Sequence, residues 1–185
     1  MINYIHNDAQ QRMDQAIEHT RMELTKIRTG RANPELVETL VIDYYGTKTP
    51  LNQLSNINVP EPRLITVQPF DKTVMADIER AIMKSNLGLT PNNNGEVILI
   101  PIPPLSEERR KDLIKVVHQL VEDGRVSVRN VRKDANHHIK MVQDEGHISE
   151  DEIKRAEQDT QDLTDKHITH LNEMMEHKEK ELMEF

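Results

Sequence analysis

The chain contains no cysteine and no tryptophan among its 185 residues. Without cysteine there can be no disulfide, zinc ribbon or thiol nucleophile, and a reducing compartment is permitted. Aromatics are scarce, with two Phe and three Tyr. Modules that hold single-stranded nucleic acid stack bases on aromatic platforms, so this composition argues against that class. Six glycines leave little material for long loops. No apolar run approaches the ~20 residues of a membrane-spanning helix. The first residues, Met1 to Asp8, lack the basic region and apolar core of a signal peptide. A soluble, cytoplasmic protein is the expectation. Catalytic signatures are missing as well. Gly46-Thr47-Lys48-Thr49 has a lone glycine and none of the spacing of a P-loop. Neither Gly-x-Ser-x-Gly nor His-Glu-x-x-His occurs, and the many carboxylates lie on helix flanks without forming an evident acid/base pair. Neither an enzyme nor a cofactor is expected.

What the chain does have is charge on helical periods. Ile5, Ala9, Met13, Ala16, Thr20, Leu24 and Ile27 recur at steps of three and four and predict a helix over 2–29. A second helix is predicted over 106–144, with Ser106 as its cap and Leu113, Val117, Leu120, Val128, Val131, Ala135 and Val142 as its seam. Gly124 falls on that seam, where it allows close helix approach. Ser149-Glu150-Asp151-Glu152 is a capping box that opens a third helix over 149–184. Its seam is Ile153, Ala156, Thr160, Leu163, His167, Leu171, Met174 and Leu182. The short link at 145–148 makes the last two helices antiparallel neighbours, and the first completes a three-helix bundle.

Between the first two helices the texture changes. Leu40–Tyr45, Leu64–Pro69 and Val97–Ile100 read as strands, Lys72–Ser85 as a helix capped by Asp71, and Asn58–Pro62 as a loop. The fold class is therefore α+β with two domains: a long antiparallel three-helix bundle over 1–30 and 105–185, and a small β/α/β domain inserted over 31–104. The two chain crossings contain Gly30, Arg31, Ala32, Asn33 and Pro34 on one side and Pro101, Ile102, Pro103 and Pro104 on the other. A double crossing restricts twisting and permits bending, so these residues are the candidate hinge.

Net charge is −8 and unevenly spread, about +1, −3, +1 and −7 over 1–31, 32–104, 105–145 and 146–185. Within 124–140 the balance is +4. Arg125, Arg129, Arg132, Lys133, Asn136 and Lys140 share one helical arc roughly 100° wide. Asp123, Asp134 and Glu145 occupy the opposite flank. A focused cationic stripe on an acidic chain suggests one anionic partner, and arginine's planar fork suits phosphate. The acidic last helix would repel a polyanion, so an RNA surface is expected away from it. The stripe has a second reading, as salt-bridged flanks of a bundle helix. Arg28 and Arg31 extend the positive surface near the crossings. His167, His170 and His177 fall within a third of a turn of each other, yet His167 lies on the apolar seam, so a metal site is not expected. His137-His138 reads as a surface pair.

Five blocks carry a family resemblance: Lys26-Ile27-Arg28-Thr29-Gly30-Arg31-Ala32; Tyr44-Tyr45-Gly46-Thr47 with Thr49-Pro50-Leu51; Leu87-Gly88-Leu89-Thr90-Pro91-Asn92; Pro103-Pro104-Leu105-Ser106-Glu107-Glu108-Arg109-Arg110; and Val128 to Asn136. With the ending Lys178 to Phe185, they resemble bacterial ribosome recycling factor from end to end. Lys133 departs from a common Arg-Arg pair and keeps only the charge. The resemblance implies an L-shaped molecule with a hinged inserted domain. It implies a monomeric factor that binds the post-termination 70S ribosome and, with elongation factor G and GTP, splits it into subunits and releases it from messenger RNA. The bundle would lie on the large subunit against 23S rRNA, with Arg129 and Arg132 matching the family's RNA-contacting arginines and Arg125, Lys133 and Asn136 beside them. The small domain and hinge would face elongation factor G, which uses the GTP. The competing class is a helical adaptor whose stripe recognises an acidic protein partner.

Overall fold

The structure, a computed structural model, describes residues 1–146 and 148–184. His147, in the expected interhelical link, and Phe185, in the family-like ending, lie outside the described residues. The elements run α1 (Ile2–Thr25), α2 (Glu35–Glu38), β1 (Val41–Tyr44), β2 (Thr47–Pro50), α3 (Leu51–Leu54), β3 (Ser55–Glu61) and β4 (Leu64–Pro69). A 3-10 turn (Lys72–Val74) then leads to α4 (Met75–Lys84), β5 (Asn92–Asn93), β6 (Ile98–Pro101), α5 (Glu107–Asp144) and α6 (Glu150–Glu184). They form two compact units. One comprises Met1–Arg28 with Glu107–Glu184, and the other Thr29–Ser106.

In the helical unit, α1, α5 and α6 all pack on one another. At 38 residues α5 is about 57 Å long, and its apolar stripe can be buried only by partners of similar length. Side-chain pairs give the directions. Arg110 meets Met183, His118 meets Glu179, Arg125 meets Asn172 and Arg132 meets Gln161, so α5 and α6 run antiparallel. His6 meets Ala156 and Asp14 meets His167, so α1 and α6 run parallel. Glu107 and Glu108 in the first turn of α5, and Glu150, Asp151 and Glu152 in that of α6, favour those helix N-termini. The capping box forms: Ser149 Oγ accepts from Glu152 N–H at 3.3 Å, and Glu152 Oε2 accepts from Ser149 N–H at 3.1 Å.

Seam and helix ends depart from expectation in detail. Helix α1 ends at Thr25, not near 29. Ile27 N–H bonds Leu24 O at 3.1 Å, an i−3 bond that tightens and closes the last turn. Ile17, Val121 and Thr164 are buried, while Ala16, Leu120 and Leu163 are only half-buried. Each helix faces two neighbours, so the buried arc is wider than a single stripe. The buried hydroxyls of Thr20, Thr160 and Thr164 are satisfied by the i−4 carbonyls of Ala16, Ala156 and Thr160, at 2.8–3.0 Å.

In the second unit β1 and β2 form a hairpin. Its turn places Tyr45 (φ 48°) and Gly46 (φ 82°) in the left-handed region, as a type I′ hairpin requires. The remaining strands form an antiparallel sheet in the order β3-β4-β6-β5. Ile65, Val67, Ile78, Ile82, Ile98 and Ile100 are fully buried in its core. Residues 55–61 correct the expected loop. Pro60 gives no N–H, and the ladder shifts register between Asn58 and Glu61, but β3 is an edge strand, where a proline is tolerated. The expected proline-rich connector also begins later. Pro101 pairs with Leu64, and Ile102 N–H bonds Arg63 O at 2.8 Å. Ala32 N–H bonds Pro62 O at the same distance, so one β3–β4 turn holds both chain crossings to the sheet. Asn33 Oδ1 accepts from Glu35 N–H at 3.0 Å, and Pro34 precedes α2.

Gly124 tests the packing. A Cβ there would stand 2.5 Å from Thr20 Oγ1 and 3.2 Å from Leu171 Cδ2. Thr20 cannot swing aside without giving up its bond to Ala16. Gly124→Ala is therefore expected to destabilise the bundle by about 1–2 kcal/mol, because the overpacking cost exceeds the gain of about 1 kcal/mol in helix propensity. A denaturant midpoint equal to or above that of the parent would refute the close approach.

Candidate nucleic-acid interface

The stripe lies where the periodicity puts it, on the flank of α5 beside a seam of Val121, Val128, Val131, Ala135 and Ile139. Its members differ in how far they are committed. Arg125 is the most tied. Its Nε and Nη2 donate to Asn172 Oδ1 at 3.0 and 2.6 Å, and its Nη1 donates to Glu122 Oε2 at 3.0 Å. Only 22% of its side chain is exposed. Arg129 donates to the other oxygen of Glu122. Arg132 makes one long bond, 3.3 Å, to the neutral Gln161. Lys133 is exposed and has no hydrogen-bond or ionic partner among the described residues. Asn136 is half-buried, and its Oδ1 has no partner among them.

Two guanidinium groups on one carboxylate have an electrostatic consequence. Hydrogen bonds from Arg125, then from Arg129, hold Glu122 below the usual carboxylate range. The opposite flank is compensated from α1. Arg12 donates to Asp134 at 2.7 Å, which lowers the Asp134 pKa and raises that of Arg12. The helix is two-sided, and its acidic side is partly neutralised.

One expectation needs correction. The stripe is not remote from the acidic last helix, because its partners Gln161, Asn172 and Met175 all belong to α6. The −7 of that segment is a sum over all faces, and the face that meets these arginines is neutral. Gln161 also holds Asp165 through Nε2 at 2.8 Å. Gln161 and Asn172 were missed by sequence reasoning. Their eleven-residue spacing, three helical turns, was the available signal.

Arg28 ends the first segment of the helical unit, and Arg31 belongs to the second unit. The structure therefore gathers Arg125, Arg129, Arg132, Lys133 and Asn136 on one helix, but not these two. The histidines are dispersed. His167 is buried, with Nε2 2.7 Å from Asp14 Oδ1 and Nδ1 2.7 Å from Leu163 O, while His170 is exposed and His177 pairs with Glu181. Asp14 is an orienting carboxylate that the sequence did not reveal. Among the described residues no group of three or more His, Cys, Asp or Glu could hold a metal. His137 and His138 are an exposed ring pair. Among the described residues no helix is long and apolar enough to cross a membrane.

A sheet unit inserted between the first and second helices of a three-helix bundle, whose middle helix carries a line of arginines, defines the class of fold. The comparisons specify the family. Residues 20–183 match the family described as ribosome recycling factor. The chain is 54% identical to the ribosome-recycling factor of Halalkalibacterium halodurans, covering 96% of each chain, and 50% identical to that of Shouchella clausii over the full length of both. A solution structure of the ribosome recycling factor superposes with a TM-score of 0.76 at 42% identity, covering 100% of this chain and 98% of that one. A model of the T. thermophilus ribosome recycling factor, bound with E. coli elongation factor G to the E. coli post-termination complex, gives 0.65 at 42% identity over 98% of each. The chain belongs to the ribosome recycling factor family, and it is a recycling factor rather than an enzyme.

The shared carboxylate offers a test. Glu122→Gln removes a charge and loosens two arginines, so the variant should elute from a heparin column at higher salt than the parent. Because the Glu122 carboxyl is lowered, its ion pairs are complete above the ordinary carboxylate range and are lost only as pH falls through the lowered value. The parent should therefore approach the variant's retention only in strongly acidic buffer. Identical elution at neutral pH would show that Glu122 does not restrain the stripe.

Proposed function

We propose that the chain acts after translation termination, as a cytoplasmic monomer that binds the post-termination 70S ribosome through α5. With elongation factor G and GTP it splits the ribosome into subunits and frees it from messenger RNA. The observation that carries this is full-length similarity to a family one of whose members is represented with elongation factor G on a post-termination complex. The GTP belongs to the partner, and this chain's part is docking and mechanical transmission.

Docking is to phosphates of 23S rRNA on the large subunit. The hydrogen bonds order the candidates. Arg132, with one long bond to a neutral amide, and Lys133, with none among the described residues, are the most available. Arg129 must share itself with Glu122, and Arg125 serves chiefly to hold α5 against α6. Asn136 offers an unpaired carbonyl oxygen beside them. Arg28 and Arg31 add positive charge near the crossings. Arg132→Ala should weaken binding to purified large subunits and flatten the dependence of log K on log salt by about one unit for each phosphate no longer neutralised. Unchanged affinity across salt concentrations would remove Arg132 from the interface.

Transmission requires a bend between the units. Ala32, Pro101 and Ile102 are bonded to the sheet, and Asn33 and Pro34 lead into α2, so bending is assigned to Gly30, Arg31, Pro103 and Pro104. Gly30 has φ 78°, where a side chain costs about 1–2 kcal/mol. Gly30→Val should therefore impair subunit splitting with elongation factor G and GTP more than it impairs binding. Equal loss of both would remove the hinge assignment.

A further inference from the structure

Two places where α6 meets the stripe share a chemistry. Both partners are amides, Gln161 for Arg132 and Asn172 for Arg125. They stand in a segment, 146–185, that holds twelve acidic residues and three amides. On α5 itself the stripe meets a carboxylate instead, and Glu122 takes both Arg125 and Arg129.

Gln161 is not free to turn. Its Nε2 donates to Asp165 Oδ1 at 2.8 Å, one turn further along α6. An amide has a donor end and an acceptor end. With the donor end held by Asp165, the acceptor end faces α5, and Oε1 accepts from Arg132 Nη1 at 3.3 Å. A carboxylate, an amide and a guanidinium thus stand in line. A guanidinium has five N–H groups. Gln161 takes one, and Arg132 has no other hydrogen-bond or ionic partner among the described residues.

We propose that Gln161, held by Asp165, is a positioning residue for Arg132: it fixes the guanidinium without neutralising it, so that the remaining N–H groups meet an RNA phosphate. The proposal rests on the docking of α5 to rRNA. A neutral acceptor keeps its bond when a phosphate arrives, whereas a carboxylate would have to give up an ion pair. Holding a long side chain in one rotamer beforehand removes part of the ordering cost of the complex.

The test measures binding of the full chain to purified large subunits over a range of salt. Gln161→Ala leaves the cation in place, so affinity should fall about three- to tenfold at every salt concentration, with the slope of log K against log salt kept. Arg132→Ala should instead flatten the slope. In an Arg132→Ala background, Gln161→Ala should cost nothing further. The control lies three residues back on α6. Gln158 donates to Asp162 at 2.8 Å in the same way, but it is exposed and has no partner on α5 among the described residues. Gln158→Ala should bind as the parent does, and Gln161→Glu should bind more weakly than Gln158→Glu, which adds the same charge. If Arg132→Ala weakens binding and Gln161→Ala does not, the positioning role alone is overturned. A loss from Gln161→Ala that persists in full without Arg132 would assign Gln161 to helix packing and overturn it as well. No effect of Arg132→Ala would remove the docking of α5, and this proposal with it.

Discussion

At Gly124 three helices meet more closely than a side chain on α5 would allow. The position faces Thr20 on α1 and Leu171 on α6. This close approach fixes two registers at once, because α5 can slide along neither neighbour without driving a side chain into the other helix. The remaining lateral pairings follow. One residue on, Arg125 meets Asn172, and two turns further Arg132 meets Gln161. On the other flank Asp134 meets Arg12. The steric register thus sets which partners the two charged flanks of α5 meet.

The same close packing explains why polar residues sit in the seam. Thr20, Thr160 and Thr164 each return a hydroxyl to the preceding turn, which satisfies the buried donor at little cost in volume. His167 is buried in the seam, and oxygens of Asp14 and Leu163 engage both its ring nitrogens. The cost of burying these groups is offset locally, so small polar side chains can stand where Leu or Ile would force the helices apart.

Much of this was legible in the sequence because helical period and capping chemistry are local. The seams in outline, the Ser149–Glu152 box and the Asp71 cap all follow from residues within a few positions of each other. What was not legible depends on neighbours distant in sequence. A proline at position 60 suggests a loop unless one knows that its strand lies at a sheet edge. The arc buried on α6 includes Thr164 because α1 and α5 both cover that helix. The charge of the last forty residues argued against a cationic site nearby, but a sum over a helix does not say which side chains face its neighbour. Of the stripe, the positions were readable. The commitments of Arg125 and Arg129 to Glu122 were not ranked, although steps of three and seven residues place all three on one face.

The connections between the units carry the final constraint. Consecutive carbonyls at Pro62 and Arg63 accept from Ala32 and Ile102, at 2.8 Å each. The chain therefore enters and leaves the sheet unit at one turn, and the two crossings are held to adjacent carbonyls. Motion between the units could not begin at Ala32 or Ile102 without breaking a main-chain bond. Outside that clamp Gly30 adopts a conformation few residues tolerate, and Pro103 and Pro104 limit the choice of φ. The attachment of the sheet unit is therefore set by which carbonyls the crossing residues find rather than by the length or softness of a linker.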